Sequence, residues 1–316
     1  MTGRFRRTIV VGSTLAVALT IAAPAMADDT DDDLADVLTA ARSSTYTATR
    51  LTVSVWADQT SLVRERVEHA KGAEMIRVDE TWSMVGNGRT IVMDDAPKGF
   101  AFMTTEEPVI TDRYEIGETS TCTHLKRRCT FVEVVEDGLV RAHMLIDERT
   151  GAPLITYLYD GDGRTYRTVS LSDFTPHRTY EWPQGRTDGP VEVVMHDETA
   201  SMPAELNGYQ LVDVFGGPSS SDQGFYSDGL FSFSLFTVPS GTTVAGFDDA
   251  VPFTTDSGVY DVLPSARDVR VHWQGDGRQY VLVGDLPPDH LVAVLGELPA
   301  PDAGNLIARL WRSLFG

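Results

Sequence analysis

The stretch Phe225–Val238, FYSDGLFSFSLFTV, decides how the second half of this chain reads. Phe231, Phe233 and Leu235 alternate with Ser232, Ser234 and Phe236. A period of two marks a strand with one greasy face and one mostly hydroxyl face. Ser227-Asp228-Gly229, just before it, reads as a tight turn. Further strands are expected at Tyr209–Phe215, Val269–Trp273 and Tyr280–Val283. Leu286-Pro287-Pro288-Asp289 then opens a helix over His290 to Leu298, with Leu291, Val294 and Leu295 as its buried face.

Upstream, Leu34, Val37, Leu38 and Ala41 fall at helical spacing, so one short helix covers Leu34 to Arg42. From Tyr46 to Phe174 the pattern is of many short strands. Turn signals separate them at Gly86-Asn87-Gly88, Pro97-Lys98-Gly99, Asp137-Gly138 and Gly161-Asp162-Gly163. An antiparallel meander led by one helix follows. "DGDGRTY" at Asp160 and "QGDGRQY" at Gln274 both read as hairpin turns. Asp160 and Asp162 do not make a calcium loop, because Arg164 stands where the next oxygen ligand belongs.

The polar, Pro- and Gly-rich stretch 177–202 reads as a linker between a domain over 34–176 and a second over 203–300. Residues 1–27 read as a secretory signal peptide. Arg4, Arg6 and Arg7 precede an apolar run from Ile9 to Ala23, and Ala25-Met26-Ala27 is a cleavage site. The acidic segment 28–33 is expected to be disordered. The tail 301–316 is an amphipathic helix candidate, with Leu310, Trp311 and Phe315 on its apolar side and Arg309 and Arg312 opposite. That side either docks on the protein's own sheet or grips a partner or membrane.

The 316-residue chain carries a formal net charge of −20. Such a surface repels nucleic acid and anionic lipid, so no nucleic-acid partner is expected. No second apolar run approaches membrane length, so the cleaved chain should carry no transmembrane segment and lie outside the cytoplasmic membrane, periplasmic or secreted. Cys122 and Cys129 are the only cysteines. A close pair around a turn in an oxidising compartment is expected to form a disulfide. Between them lie Lys126, Arg127 and Arg128, the most basic spot in the chain: either a contact for an acidic partner or a solvated loop tip.

No catalytic or metal motif is legible. G-x-S-x-G, H-E-x-x-H and a Walker loop are all missing. The seven histidines are scattered singly and each reads as a surface or strand histidine. No cofactor, metal or catalytic residue is expected, although a hydrolase built from distant residues leaves no local signature.

Three motifs carry a resemblance. "MPAELNGYQL…FYSDGLFSFSLFTV", with Tyr226, Ser227, Asp228, Gly229 and Leu230, resembles the start of the C-terminal domain in the MucB/RseB family. "YVLVGDLPPDHLVAVLGEL" resembles that family's strand running through Val283, Gly284, Asp285, Leu286, Pro287 and Pro288 into a helix. "LIDERTGAPLITYLYDGDG", Leu145 to Gly163, resembles a strand–turn–strand shared with lipoprotein carriers of the LolA type. The Cys122–Cys129 hairpin, the acidic N-terminus and the tail have no counterpart in that pattern.

The resemblance implies an α+β, mostly antiparallel fold. An unclosed, LolA-like β-barrel wraps a helix around an apolar concavity, and a smaller α+β domain follows. It also implies a non-enzymatic regulator that binds the extracytoplasmic part of a membrane-spanning anti-sigma factor and modulates envelope-stress signalling. An acyl lipid or lipoprotein in the concavity would be its signal. The alternative is a lipid or lipoprotein carrier of the LolA type, which leaves the C-terminal half unexplained.

Overall fold

Tight hairpins build most of this molecule. In a computed structural model, residues 34–56, 59–70, 73–78, 81–86, 89–93, 112–179, 202–216 and 221–302 are described. The expected signal peptide, acidic segment, Leu310, Trp311, Phe315 and nearly all of the linker lie outside them. Among the described residues, no helix is long and apolar enough to cross a membrane.

The first helix, α1 (Leu34–Ser43), leads into β1 (Tyr46–Trp56), β2 (Gln59–Ala70), β3 (Ala73–Val78), β4 (Thr81–Gly86) and β5 (Arg89–Met93). Then come β6 (Glu115–His124), β7 (Arg127–Glu136), β8 (Leu139–Asp147), β9 (Pro153–Tyr159) and β10 (Thr165–Pro176). They form one open antiparallel sheet in the order β5-β4-β3-β2-β1-β10-β9-β8-β7-β6. The long β1–β10 pairing joins its two meanders.

The Asp-x-x-Thr-Gly motif seats α1 on this sheet. Asp147 accepts from the Thr150 hydroxyl at 2.6 Å and from the Gly151 amide at 2.8 Å. Gly151 has φ 73°, and a Cβ there would lie 2.9 Å from Ala40 O on α1. Only glycine permits both that backbone and that approach.

The second sheet comprises β11 (Glu205–Leu206), β12 (Tyr209–Gly216), β13 (Asp222–Ser227), β14 (Ser232–Pro239), β15 (Val251–Thr255), β16 (Gly258–Pro264), β17 (Val269–Gly275) and β18 (Arg278–Gly284). Its order is β11-β12-β13-β14-β18-β17-β16-β15, and α2 (Pro288–Glu297) follows. Positive φ at both Asn207-Gly208 and Asp276-Gly277 gives hairpin turns whose twist matches the strands they join. The β15–β16 hairpin was not legible, since "VPFTT" and "GVYDVLP" are short and weakly alternating.

The strand of the opening quotation is therefore β14, held between β13 and β18 near the middle of the sheet. Phe231, Phe233 and Leu235 are buried, as are Leu291, Val294 and Leu295 of α2. These residues belong to one apolar cluster that also holds Leu34, Val132, Val134 and Tyr166 from the first half. The fold class is as expected: α+β, dominated by antiparallel sheets that do not close into barrels.

Candidate functional site

Among the described residues, two places where the sheets meet are rich in polar side chains. One is a sealed polar junction. Glu136 ends β7 in phase with Val132 and Val134, so the strand's period carries its carboxylate inward. There it accepts from Arg113 Nε and from Arg141 Nε at 2.6 Å. His290, at the start of α2, comes from the other side. Its Nε2 lies 2.9 Å from Glu136 Oε2, and its Nδ1 is 2.7 Å from the Tyr209 hydroxyl. Arg113 Nη2 also lies 3.0 Å from that Nε2. Arg141 also pairs with Asp289 at 2.9 Å, and Arg113 donates to Asn207 O at 2.7 Å.

Burial alone would raise the Glu136 carboxyl. Hydrogen bonds from His290 and Arg113 outweigh it and hold the group down at about 2. Asp228 is fully buried in the turn before β14 and moves the opposite way. Burial raises it, and the Tyr114 hydroxyl at 2.6 Å offsets only part of that. These contacts fasten the sheets to each other, and Arg141 Nη1 is left buried without a hydrogen bond.

The His290 environment corrects the sequence reading. This histidine is neither at the surface nor on a strand. It is 3% exposed, on a helix, with three polar side chains against it. Its spacing of four from Val294 was the available signal.

The second meeting place is a cleft of about 790 Å³. One wall is the hydroxyl face of β14 and its neighbours. Cross-strand register sets Phe225, Ser234, Val283 and Arg270 in one row and Phe236 beside Val281 in the next. The other wall is the first sheet: Arg50 and Thr52 on β1, Glu74 and Ile76 on β3, Arg167 and Val169 on β10. The turn between β16 and β17 closes one end. Ser54 donates to Ala266 O at 2.8 Å, and Arg267 pairs with Glu65.

The first-sheet wall is more polar than the apolar concavity expected there. Arg50 pairs with Glu65 at 2.8 Å and with Glu74 at 2.6 Å. Burial opposes the charge on each partner, but the pairing outweighs it, raising Arg50 and lowering Glu74. Asp285, at the end of β18, accepts from the Ser232 amide at 2.8 Å; burial raises its carboxyl, and Arg167 acts against that.

The two sequence motifs meet at this end of the cleft. Ser232 follows the first, Asp285 belongs to the second, and their backbones bond in return at 3.1 Å. Gly284 permits it, because a Cβ there would lie 2.6 Å from Ser232 O and collide with Phe233 Cβ. The Tyr166 hydroxyl, from the first sheet, reaches Asp285 O at 2.8 Å.

The chain is similar to MucB. It matches a complex of Pseudomonas aeruginosa MucA and MucB at 17% identity and a TM-score of 0.46, over 84% of this chain and 97% of that one. A second structure of MucB, in complex with MucA(peri), matches at 17% and 0.44, over 85% and 99%. A LolA superfamily protein of Nitrosomonas europaea matches at 8% and 0.19, over 81% and 94%. No family model matches the sequence, and no curated protein does.

The basic hairpin lies away from both meeting places, at the outer edge of the first sheet. Cys122 and Cys129 sit directly opposite in register and are disulfide-bonded. Arg127 is tied inward, donating to both oxygens of Asp147 at 2.6 and 2.9 Å and lying over Phe174. Lys126 is exposed, and Arg128 is exposed and pairs with Glu148 at 3.1 Å.

The sequence reading missed Arg50, Glu136 and Arg167. Arg50 gave no sign in its strand pattern, since it shares its phase with Thr52 and Ser54 while Leu51, Val53 and Val55 take the other face of β1. Glu136 and Arg167 are charged residues in the apolar phase of a strand, with Val134 and with Val169 and Leu171. That breach of alternation was the legible signal.

Proposed function

We propose that this chain is an extracytoplasmic, non-enzymatic regulator. It holds the outer segment of a membrane-spanning anti-sigma factor and thereby modulates sigma-factor signalling. The observation that carries the reading is the convergence of the two resembling motifs. Tyr226–Leu230 and Val283–Pro288 together build the corner where the sheets join and the cleft begins. A cleft between two fastened sheets suits a binding protein, because it is concave, preformed and lined with both apolar and polar groups. A ligand that spread the sheets would change the cleft's affinity for the segment, which is the coupling a regulator needs. The carrier reading is less favoured, because the first-sheet wall presents charges where an acyl chain would need apolar cover.

Affinity capture of the processed protein from its native envelope tests this, combined with deletion of its gene. The expected result is recovery of a single-span protein with a cytoplasmic sigma-binding domain, and altered sigma-dependent transcription in the deletion strain. Recovery of acyl lipid or lipoprotein alone, with transcription unchanged, would contradict it.

A further inference from the structure

We infer that Arg167 is the anion receptor of the cleft, and that the cleft takes an extended, amphipathic peptide segment with a carboxylate set against that arginine. This rests on the reading that the chain holds a peptide segment of a partner. Arg167 is only 6% exposed. Its Nε donates to Ser54 Oγ at 3.0 Å, and its guanidinium lies 5.6 Å from the Tyr166 ring centre. Among the described residues, no carboxylate comes within 4.0 Å of it. The other cleft arginines are all paired: Arg50 with Glu65 and Glu74, Arg267 with Glu65, Arg270 with Asp268. A buried guanidinium with donors to spare is costly until an acceptor arrives.

Each wall mixes apolar and polar groups, and that mixture selects the occupant. The second-sheet wall offers Phe225, Phe236 and Val283 beside Ser232 and Ser234; the first offers Ile76 and Val169 beside Arg50, Glu74 and Arg167. An extended chain turns alternate side chains to opposite sides, so an amphipathic segment meets both kinds of group at once. An acyl chain would desolvate the polar groups of both walls. The strands that line the cleft are also saturated. β14 is bonded to β13 and β18, and β1 to β2 and β10, so a segment cannot join either sheet there by strand addition. Recognition falls to side chains, which makes the carboxylate decisive. A net charge of −20 makes an unpaired, buried cation in this chain a local feature and not a consequence of composition.

The test uses the purified full chain and short synthetic peptides of alternating apolar and polar residues. Glu, Gln or Lys is fixed at the centre, and binding is read by fluorescence anisotropy, with oleate titrated in parallel. Peptides with Glu should bind about tenfold tighter than those with Gln, as one charge-assisted contact implies. Arg167→Met should erase that difference while leaving the Gln peptides bound. The wild-type comparison stands even if the variant folds poorly. Equal binding of Glu and Gln peptides would overturn the inference and leave the partner reading intact. Failure of every peptide to bind would overturn both, and binding of oleate alone would give the cleft to a lipid.

Discussion

At the junction, one carboxylate, Glu136, is shared by two arginines and a histidine; in the cleft, one buried arginine, Arg167, has no carboxylate within 4.0 Å among the described residues. Both sites are polar, and both lie between the same two sheets. The first has each of its named charges in an ion pair. The second has a surplus donor and open volume. Buried charge in this molecule therefore has two meanings, and pairing separates them: matched groups fix geometry, and an unmatched one awaits a ligand.

Removing the shared carboxylate should break the comparison most severely. Glu136→Ala leaves Arg113 and Arg141 without their common partner and should cost about 3 kcal/mol in urea unfolding. The acid limb of stability sharpens the point. Glu136 is held below its ordinary value of 4.5, at about 2. A depressed acid contributes fully above its unfolded pKa, and that contribution is lost as pH falls from about 4.5 towards 2. Glu136→Gln should flatten that limb, measured by thermal melting across the window. Asp228 has the opposite sign. Its raised pKa makes acid relieve strain there, which partly offsets the loss.

Gly284→Ala should come next, at about 2 kcal/mol, because Ser232 O and Phe233 leave no space for a methyl group. Tyr114→Phe should cost about 1 kcal/mol by taking the hydroxyl from buried Asp228. Arg167→Met should change stability least, by less than about 1 kcal/mol in either direction, since it strands no ion-pair partner and Asp285, the buried carboxyl it attracts, is already pushed towards its neutral form by burial. A large loss there would mean that Arg167 is structural and that the two sites are alike.

How much of this was legible follows from what each feature depends on. The alternation of Phe231, Phe233 and Leu235 placed β14 and its inner face. The Pro287-Pro288 step placed α2, and the Asp-Gly pairs placed the hairpins, because each is set by local backbone chemistry. The cleft was not legible, because it lies between strands far apart in the chain. Thr52 and Phe236 share it only once the two sheets have packed. The fate of the hydroxyl face of β14 was undecided for the same reason. Charges set in apolar phases, at Glu136 and Arg167, were visible as exceptions, but only contacts separated the paired from the unpaired; Arg50, in phase with Thr52 and Ser54, looked like an outer residue.

The most direct test of the central claim is photo-crosslinking in the native envelope. Phe236, on the cleft wall, would be replaced by p-benzoylphenylalanine in one strain, and Leu139, at the exposed β7–β8 turn, in another. The account predicts crosslinks from position 236 to a single-span membrane protein, weakened in Arg167→Met, and none from position 139. Crosslinks to that protein from position 139 with none from 236 would contradict it.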